Sequence, residues 1–300
     1  MPQEQDEIIL IRFEEALIQS ALSPSTIVNY LADLRVFLRW GKNEVDDQFL
    51  LTSATQRHIR LYRDHLVQKL HRAASTVNRH LMALRKFFAF AQDIGVVSVD
   101  PTLGIALVQD DGQALSRPLQ QDEQERLLAA AQQGSRAGLV LRDLAILQLL
   151  LQTGLRVSEI VDLQKDDLIF DHPGVHLKVC RGQPGEMKTR HLPLSNKVCK
   201  ALYDYLLVRP QISTTNHFFL SQEGRPISSR TVQRIISDCA KTAGLAGVSA
   251  QSLRRTFALQ LLAETQDLEL VCERLGHQNK TITEQYLSLH EGVSQNLGGS

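Results

Sequence analysis

Residues 249–290 read SAQSLRRTFALQLLAETQDLELVCERLGHQNKTITEQYLSLH, and the rest of the chain is interpreted around this stretch. Arg254 lies in a helix-like run, and His277 and Tyr286 follow it, nine residues apart. A guanidinium group is permanently charged, and its planar fork matches two phosphate oxygens. A tyrosine phenol can attack as a nucleophile and form a covalent intermediate. The stretch therefore indicates a site that binds a phosphate and attacks it with oxygen, although each residue alone is also common on ordinary surfaces.

Length and composition set the first limits. A chain of 300 residues can form two domains with a hydrophobic core each. Its acidic N-terminus does not resemble a signal peptide, and its longest apolar run is too short and too interrupted to span a membrane. The four cysteines are scattered without a Cys-x-x-Cys pair, which is typical of reduced thiols. We expect a cytoplasmic protein with no membrane partner, no metal and no cofactor.

The formal net charge of zero argues against a nucleic-acid-binding protein, but it hides an uneven distribution. Residues 1–50 contain nine acidic and four basic residues, whereas residues 51–90 contain eight basic residues and one acid. Such a basic block can attract a polyanion and contact its phosphates, although a solvated helix face is the ordinary alternative. Its histidines, including His80, are predicted to contact DNA or solvent. The predicted DNA contacts are Arg57, Arg60, Arg72, Arg79, Arg85 and Lys86.

The N-terminal hundred residues show helical periodicity of their apolar positions throughout. Ile8, Ile11, Ala16 and Leu17 are assigned to the apolar stripe of the first helix, and Gly41 is predicted to end the second. The weakly patterned residues 106–118 are predicted to be a linker between an N-terminal helical domain, residues 1–105, and a second domain, residues 119–300. The predicted helices of the first domain cover about residues 6–20, 26–40, 55–70 and 76–94.

The second domain combines helices with one β-hairpin. Residues 175–180 and 188–194 alternate or are β-branched, and Gly and Pro residues separate them, which predicts two antiparallel strands. The predicted fold class is therefore mainly α with a small antiparallel β-sheet (α+β). The predicted helices cover about residues 121–132, 139–152, 156–163, 195–208, 229–243, 253–263, 268–275 and 281–286.

Several segments together resemble the tyrosine recombinase, or phage integrase, family, with the nearest likeness to Xer-type recombinases and transposon integrases. Residues 153–160, TGLRVSEI, are similar to the first arginine box of the family, and residues 254–258, RRTFA, to the second. Residues 275–277, LGH, with Tyr286 nine residues after His277, complete the third box. Residues 22–38 resemble the helical core-binding domain. Three boxes in order are far more specific than any one box.

This resemblance implies a site-specific DNA recombinase whose two domains form a clamp on duplex DNA and which needs neither metal nor ATP. Tyr286 would attack the scissile phosphate and give a 3′-phosphotyrosyl link and a free 5′-hydroxyl. Arg156 and Arg254 would have to converge, because the charge that develops on the non-bridging oxygens must be neutralised. Glu159 is implied to orient side chains beside Arg156, and His277 is implied to belong to the catalytic set.

Two positions of the implied site are less direct. The family protonates the departing 5′-oxygen with a lysine of the β-hairpin; Lys188 is the first choice, and Lys178 and Arg181 are the alternatives. Gln251 stands three residues before Arg254, where the family usually has a histidine. A glutamine amide can form a hydrogen bond to phosphate but cannot carry a proton near neutral pH. The chain must therefore do without a proton carrier at this position or recruit another group.

Two other functions share part of this pattern. A DNA-binding accessory protein of the same fold, with little catalysis, would be consistent with Gln251. A type IB topoisomerase would use the same chemistry without joining two DNA sites. The resemblance implies a double-stranded DNA target site and a homo-tetramer on two such sites, and it leaves open an accessory factor or a partner recombinase.

Overall fold

The structure, a computed structural model, describes residues 2–20, 22–109, 117–134, 136–171, 174–181, 188–209 and 215–276. These residues form helices and one three-stranded antiparallel sheet, so the predicted fold class is confirmed. The chain divides into two compact units, Met1–Ala114 and Leu115–Ser300. None of the helices in the described part of the chain combines the length and apolar character needed to cross a bilayer.

The first unit contains α1 (Pro2–Gln19), α2 (Pro24–Glu44), α3 (Gln56–Asp64) and α4 (Ala74–Asp93). The helix predicted over residues 55–70 changes its hydrogen-bond pattern after α3 and continues as one π-helical turn, His65–Lys69. Aromatic rings fill the core between these helices, and edge-to-face pairs are common among them. The rings of Phe13 and Phe87, for example, lie 5.4 Å apart at an angle of 89°.

The buried face of α1 is only partly the predicted one: Leu17 is buried and Ala16 half-buried, but the two predicted isoleucines are not. Ile8 and Ile11 are 58% and 55% exposed. Positions 8 and 9 differ by about 100° around a helix, so α1 has two apolar stripes that both follow helical spacing. Periodicity could not distinguish them; packing against the other helices does. The buried stripe consists of Ile9, Leu10, Phe13 and Leu17.

The predicted end of the second helix at Gly41 is also wrong. The helix continues to Glu44, and the N–H of Val45 donates to the carbonyl of Gly41 at 3.0 Å. The ring of Phe49 lies where a Cβ atom of residue 41 would stand. Gly41 therefore lies within α2, where its lack of a side chain leaves space for the Phe49 ring to pack against the helix. It does not terminate the helix.

The second unit contains the remaining helices and the sheet, with α6 at the centre of its core: Ile146 and Leu147 are fully buried. Gly154, at φ +60°, ends α6. The helix predicted over residues 281–286 lies outside the described residues. The described helices of this unit are α5 (Gln121–Ala131), α6 (Ala137–Thr153), α7 (Val157–Asp162), α8 (Asn196–Val208), α9 (Ser229–Thr242), α10 (Ala250–Thr265) and α11 (Leu268–Leu275).

The sheet has the order β1 (Leu168–Asp171), β2 (Gly174–Arg181), β3 (Lys188–Leu194). β2 and β3 are the predicted hairpin; β1 was not predicted, because four residues are too few to show a pattern. Leu177 pairs with the buried Leu192. Since side chains alternate along a strand, positions 188, 190 and 192 of β3 share the face that contributes to the core.

The packing of Phe49 against Gly41 predicts that Gly41→Ala lowers the free energy of unfolding. Alanine is favoured over glycine by about 1 kcal/mol in a helix interior, but forcing a methyl group into a filled site costs about 1–3 kcal/mol. Gly138→Ala in α6 is the matched control, because the nearest atom to its added Cβ would be Val208 Cγ2 at 4.0 Å. Urea unfolding measures both; equal effects would contradict the assignment.

Candidate active site

Arg254 joins the ends of two helices in the second unit. It follows the first turn of α10, whose N-cap Ser249 accepts a hydrogen bond from the N–H of Ser252 at 3.4 Å. The Arg254 side chain is buried; its Nη1 donates to the carbonyl of Gly154, and its Nη2 donates to the carbonyl of Leu275 at 2.7 Å. These carbonyls stand at the C-terminal ends of α6 and α11, where helical N–H partners are missing.

Arg156 reaches the same carbonyl from a distant part of the sequence. It is the N-cap of α7, and its side chain is 28% exposed. Its Nη1 donates to the carbonyl of Leu275 at 3.3 Å, and its Nη2 donates to the carbonyl of Gly276 at 3.4 Å. The two arginines that the sequence analysis selected therefore converge in the structure.

Glu159 is buried beside Arg156 and is not a surface carboxylate. Its Oε2 accepts the backbone N–H of Arg156 at 2.8 Å, and its Oε1 lies 3.3 Å from Arg156 Nη1. Burial acts to raise the pKa of this carboxyl, but the hydrogen bonds and charge of Arg190, with the N–H and charge of Arg156, outweigh burial and lower the pKa. The carboxylate is therefore ionised at neutral pH.

Arg190 is the residue of this cluster that the sequence analysis missed. It donates to Glu159 through Nη1 at 3.0 Å and Nη2 at 2.9 Å, and its Nε donates to the carbonyl of Arg274 at 3.0 Å. Its side chain is 10% exposed. The available signal was its strand position two residues before Leu192, because a charge on the core face of a strand needs a buried partner.

Glycine is required where α11 ends. Gly276 has φ +64°, and a Cβ atom there would lie 2.9 Å from Arg190 Nη1. The helix stops at Leu275, so the carbonyls held by arginines directly precede His277 in the chain. His277 and Tyr286 themselves lie outside the described residues.

The other predicted site residues lie on neighbouring elements. Lys188 is the exposed first residue of β3 and shares the strand face of Arg190. Lys178 pairs with His191 and therefore belongs to the other face of the sheet. Arg181 is the cross-strand partner of Lys188 in the register of β2 and β3. Gln251 is exposed in the first turn of α10, one helical turn before Arg254. In the part of the chain that is described, no group of three or more His, Cys, Asp or Glu side chains could hold a metal ion.

The basic block of the first unit is partly engaged in contacts within that unit. Arg79 forms an ion pair with the buried Asp33 at 2.6 Å, and Arg85 donates to the carbonyl of Ile105. Arg57, Arg60, Arg72 and Lys86 are exposed on α3, α4 and the segment between them.

His80 was predicted to contact DNA or solvent, and this prediction is wrong. It is buried, with Nδ1 3.1 Å from the hydroxyl of Tyr62 and 3.5 Å from Asp33. Burial, with the nearby charges of Arg79 and Arg72, lowers its pKa to about 4. His80 is therefore a neutral core residue, and the sequence could not show this because the helical register of α4 alone does not fix which polar groups are enclosed.

Comparison with known proteins identifies the chain. The phage integrase family matches residues 117–292, and the phage integrase N-terminal SAM-like domain matches residues 10–95. Tyrosine recombinase XerC of Staphylococcus carnosus (strain TM300) is 32% identical over 273 residues, which are 90% of this chain and 88% of the relative. The chain therefore belongs to the phage integrase family. Within that family it is a tyrosine recombinase of the Xer type.

Two solved structures show the same fold at low identity. XerH site-specific recombinase bound to palindromic difH substrate, a post-cleavage complex, has a TM-score of 0.73 at 18% identity and covers 91% of this chain and 78% of its own. A lambda integrase tetramer bound to a Holliday junction has a TM-score of 0.70 at 20% identity and covers 93% and 76%. Site-specific recombination is favoured over the accessory-protein and topoisomerase alternatives.

The exposed part of the basic block predicts a change in salt dependence. If Arg57, Arg72 and Lys86 each neutralise one DNA phosphate, replacing any of them by alanine makes the negative slope of log K, the DNA association constant, against log salt concentration shallower by about 1. Fluorescence anisotropy of labelled duplex DNA over a KCl series measures the slope. Arg12→Ala, an exposed position on the acidic α1, is the control; an equal change in this control would contradict the assignment.

Proposed function

We propose that this recombinase cuts and rejoins duplex DNA at a specific site through a covalent 3′-phosphotyrosyl link to Tyr286. The observation that supports the proposal is the convergence of Arg156 and Arg254 on the carbonyl of Leu275, two positions before His277. A metal-free phosphoryl transfer depends on fixed positive charge near the non-bridging oxygens, and two guanidinium groups provide it.

Arg156 and Arg254 bind the scissile phosphate in this proposal. Their charge does not depend on pH in the physiological range, because a guanidinium does not lose its proton. Their bonds to the ends of α6 and α11 fix both side chains before DNA arrives. Preorganised donors need no reordering when charge develops in the transition state, which is the largest single source of stabilisation in such sites.

The remaining residues move protons or orient the phosphate. As the bond between the Tyr286 oxygen and phosphorus forms, His277 accepts the phenolic proton, since imidazole titrates near neutral pH. The bond from phosphorus to the 5′-oxygen breaks, and Lys188 protonates that oxygen. Gln251 donates an amide hydrogen bond to the phosphate. A hydroxyl of a second DNA strand then reverses the attack, so bond energy is retained and ATP is not needed.

The proposed partner is a double-stranded DNA target. The proposed assembly is a homo-tetramer on two DNA sites, and the tetrameric lambda integrase on a Holliday junction supports it by fold similarity. We place the reaction in the cytoplasm, without metal or cofactor, and include an accessory factor or a partner recombinase as a further component.

The covalent step is tested with a nicked suicide DNA substrate that contains the target site. Wild type is expected to give a protein–DNA band on a denaturing gel, and Tyr286→Phe none. Tyr203→Phe, at an exposed tyrosine of α8, is the matched control and keeps the band. DNA binding without a band in the wild type would favour the accessory-protein function. Relaxation of a supercoiled plasmid without the site would favour a topoisomerase.

The assignment of Lys188 is tested against Lys178, its counterpart on the opposite strand face. Lys188→Ala is expected to slow cleavage of ordinary DNA by about 10²–10⁴-fold, the usual effect of losing a general acid. Lys178→Ala should leave the rate near that of wild type. A 5′-bridging phosphorothiolate substrate, whose thiolate departs without a proton, should restore cleavage by Lys188→Ala. Rescue of Lys178→Ala instead would exchange the two assignments.

A further inference from the structure

We propose that Arg190 is a positioning residue that holds the carboxylate of Glu159 and thereby leaves the charge of Arg156 available for the scissile phosphate. This inference rests on the proposed function, because it concerns the same site. The sequence boxes do not include Arg190; only the structure places it beside Glu159.

The contacts of Glu159 differ in strength. Arg190 takes both carboxylate oxygens, at 3.0 and 2.9 Å, in the two-pronged geometry that gives the strongest guanidinium–carboxylate pairs. The side chain of Arg156 has one longer contact with the same carboxylate, at 3.3 Å. Arg190 is therefore the main ion-pair partner of Glu159, and Arg156 is the secondary one.

The charges of the cluster show why this matters. Arg156, Arg190 and Arg254 contribute three positive charges, and Glu159 contributes one negative charge. Without Arg190, Arg156 is the guanidinium already within hydrogen-bond distance of Glu159. A buried carboxylate that has lost its partner is costly, so Glu159 would draw Arg156 into a full ion pair. The phosphate would then meet a weaker and displaced positive charge.

Arg190 also fixes the end of α11. Its Nε donates to the carbonyl of Arg274, while Arg254 and Arg156 hold the next carbonyls, those of Leu275 and Gly276. Three arginines thus satisfy three consecutive carbonyls at the negative end of a helix. The close approach of Arg190 to Gly276 means that the backbone leading into His277 is positioned against this side chain.

The test compares Arg190→Gln, Glu159→Gln and the double variant. The measured quantities are the rate of covalent adduct formation on suicide DNA in single-turnover reactions at saturating protein, and the Kd for DNA. Arg190→Gln is expected to slow adduct formation by about 10- to 100-fold, somewhat less than removal of a direct transition-state donor. The Kd should change much less, since the phosphate contacts along the rest of the DNA remain.

The double variant separates positioning from simple structural support. Removing the carboxylate removes the ion pair that competes with the phosphate for Arg156, so the double variant should form adduct at least about tenfold faster than Arg190→Gln, a non-additive result typical of coupled residues. Arg190→Lys, which keeps one charge but loses the fork, should be intermediate. Thermal denaturation shows whether Arg190→Gln is folded. If it is not, the same comparison is made with Arg190→Lys, with and without Glu159→Gln.

The outcomes are distinct. The role of Arg190 would be overturned if Arg190→Gln formed adduct at the wild-type rate, or if the double variant were no faster than Arg190→Gln. In both cases the proposed function would stand as long as the wild type forms the adduct. Absence of adduct in the wild type would overturn the proposed function, and this inference with it. A double variant that recovers adduct formation supports both.

Discussion

The carbonyl group of Leu275 is the point on which the arrangement of the candidate site depends. It ends α11, and the last carbonyls of a helix have no partner within it and lie at the negative end of its dipole. Arg254 and Arg156 satisfy this carbonyl from two other elements. Because Arg254 also binds the carbonyl of Gly154, the site is attached to α6, the central helix of the unit. The helix ends and the guanidinium groups of the candidate site therefore stabilise each other.

Two glycines let the arginine side chains and the helix ends come this close together, without taking part in the proposed chemistry. Gly154 and Gly276 both adopt the left-handed conformation that ends a helix. A Cβ atom at residue 154 would meet Phe257 at 2.5 Å and Leu275 at 2.9 Å. A larger residue at position 154 would push Leu275 away from the end of α6, and one at position 276 would press against the Arg190 side chain. The glycines of the sequence boxes are thus explained by backbone conformation and packing, whereas the arginines of the same boxes are explained by the phosphate chemistry proposed for them.

The sequence could predict the residues that the phosphate chemistry requires, but not the residues whose role comes from packing. The convergence of Arg156 and Arg254 followed from the chemistry of phosphate and from the motif resemblance, and the structure places them together. The strand position of Arg190 indicated only that its charge needs a buried partner; that the partner is Glu159 of α7 comes from a contact between β3 and α7, which local spacing does not reveal. The exposed Ile8 and the helical Gly41 were misassigned for the same reason: two faces of α1 are apolar, and glycine ends many helices. In each case a tertiary contact selected between locally equivalent patterns.

The site also separates fixed charge from movable protons. Its described centre consists of guanidinium groups, which stay protonated, and of Glu159, whose lowered pKa keeps it ionised. Near neutral pH this centre neither gains nor loses charge, so its net charge stays the same through each step of the proposed reaction. In the proposed reaction the protons move through Lys188, at the start of β3, and through His277 and Tyr286, after α11. Gln251, where the family usually has a histidine, fits this division, because an amide one turn before Arg254 can form a hydrogen bond but cannot titrate.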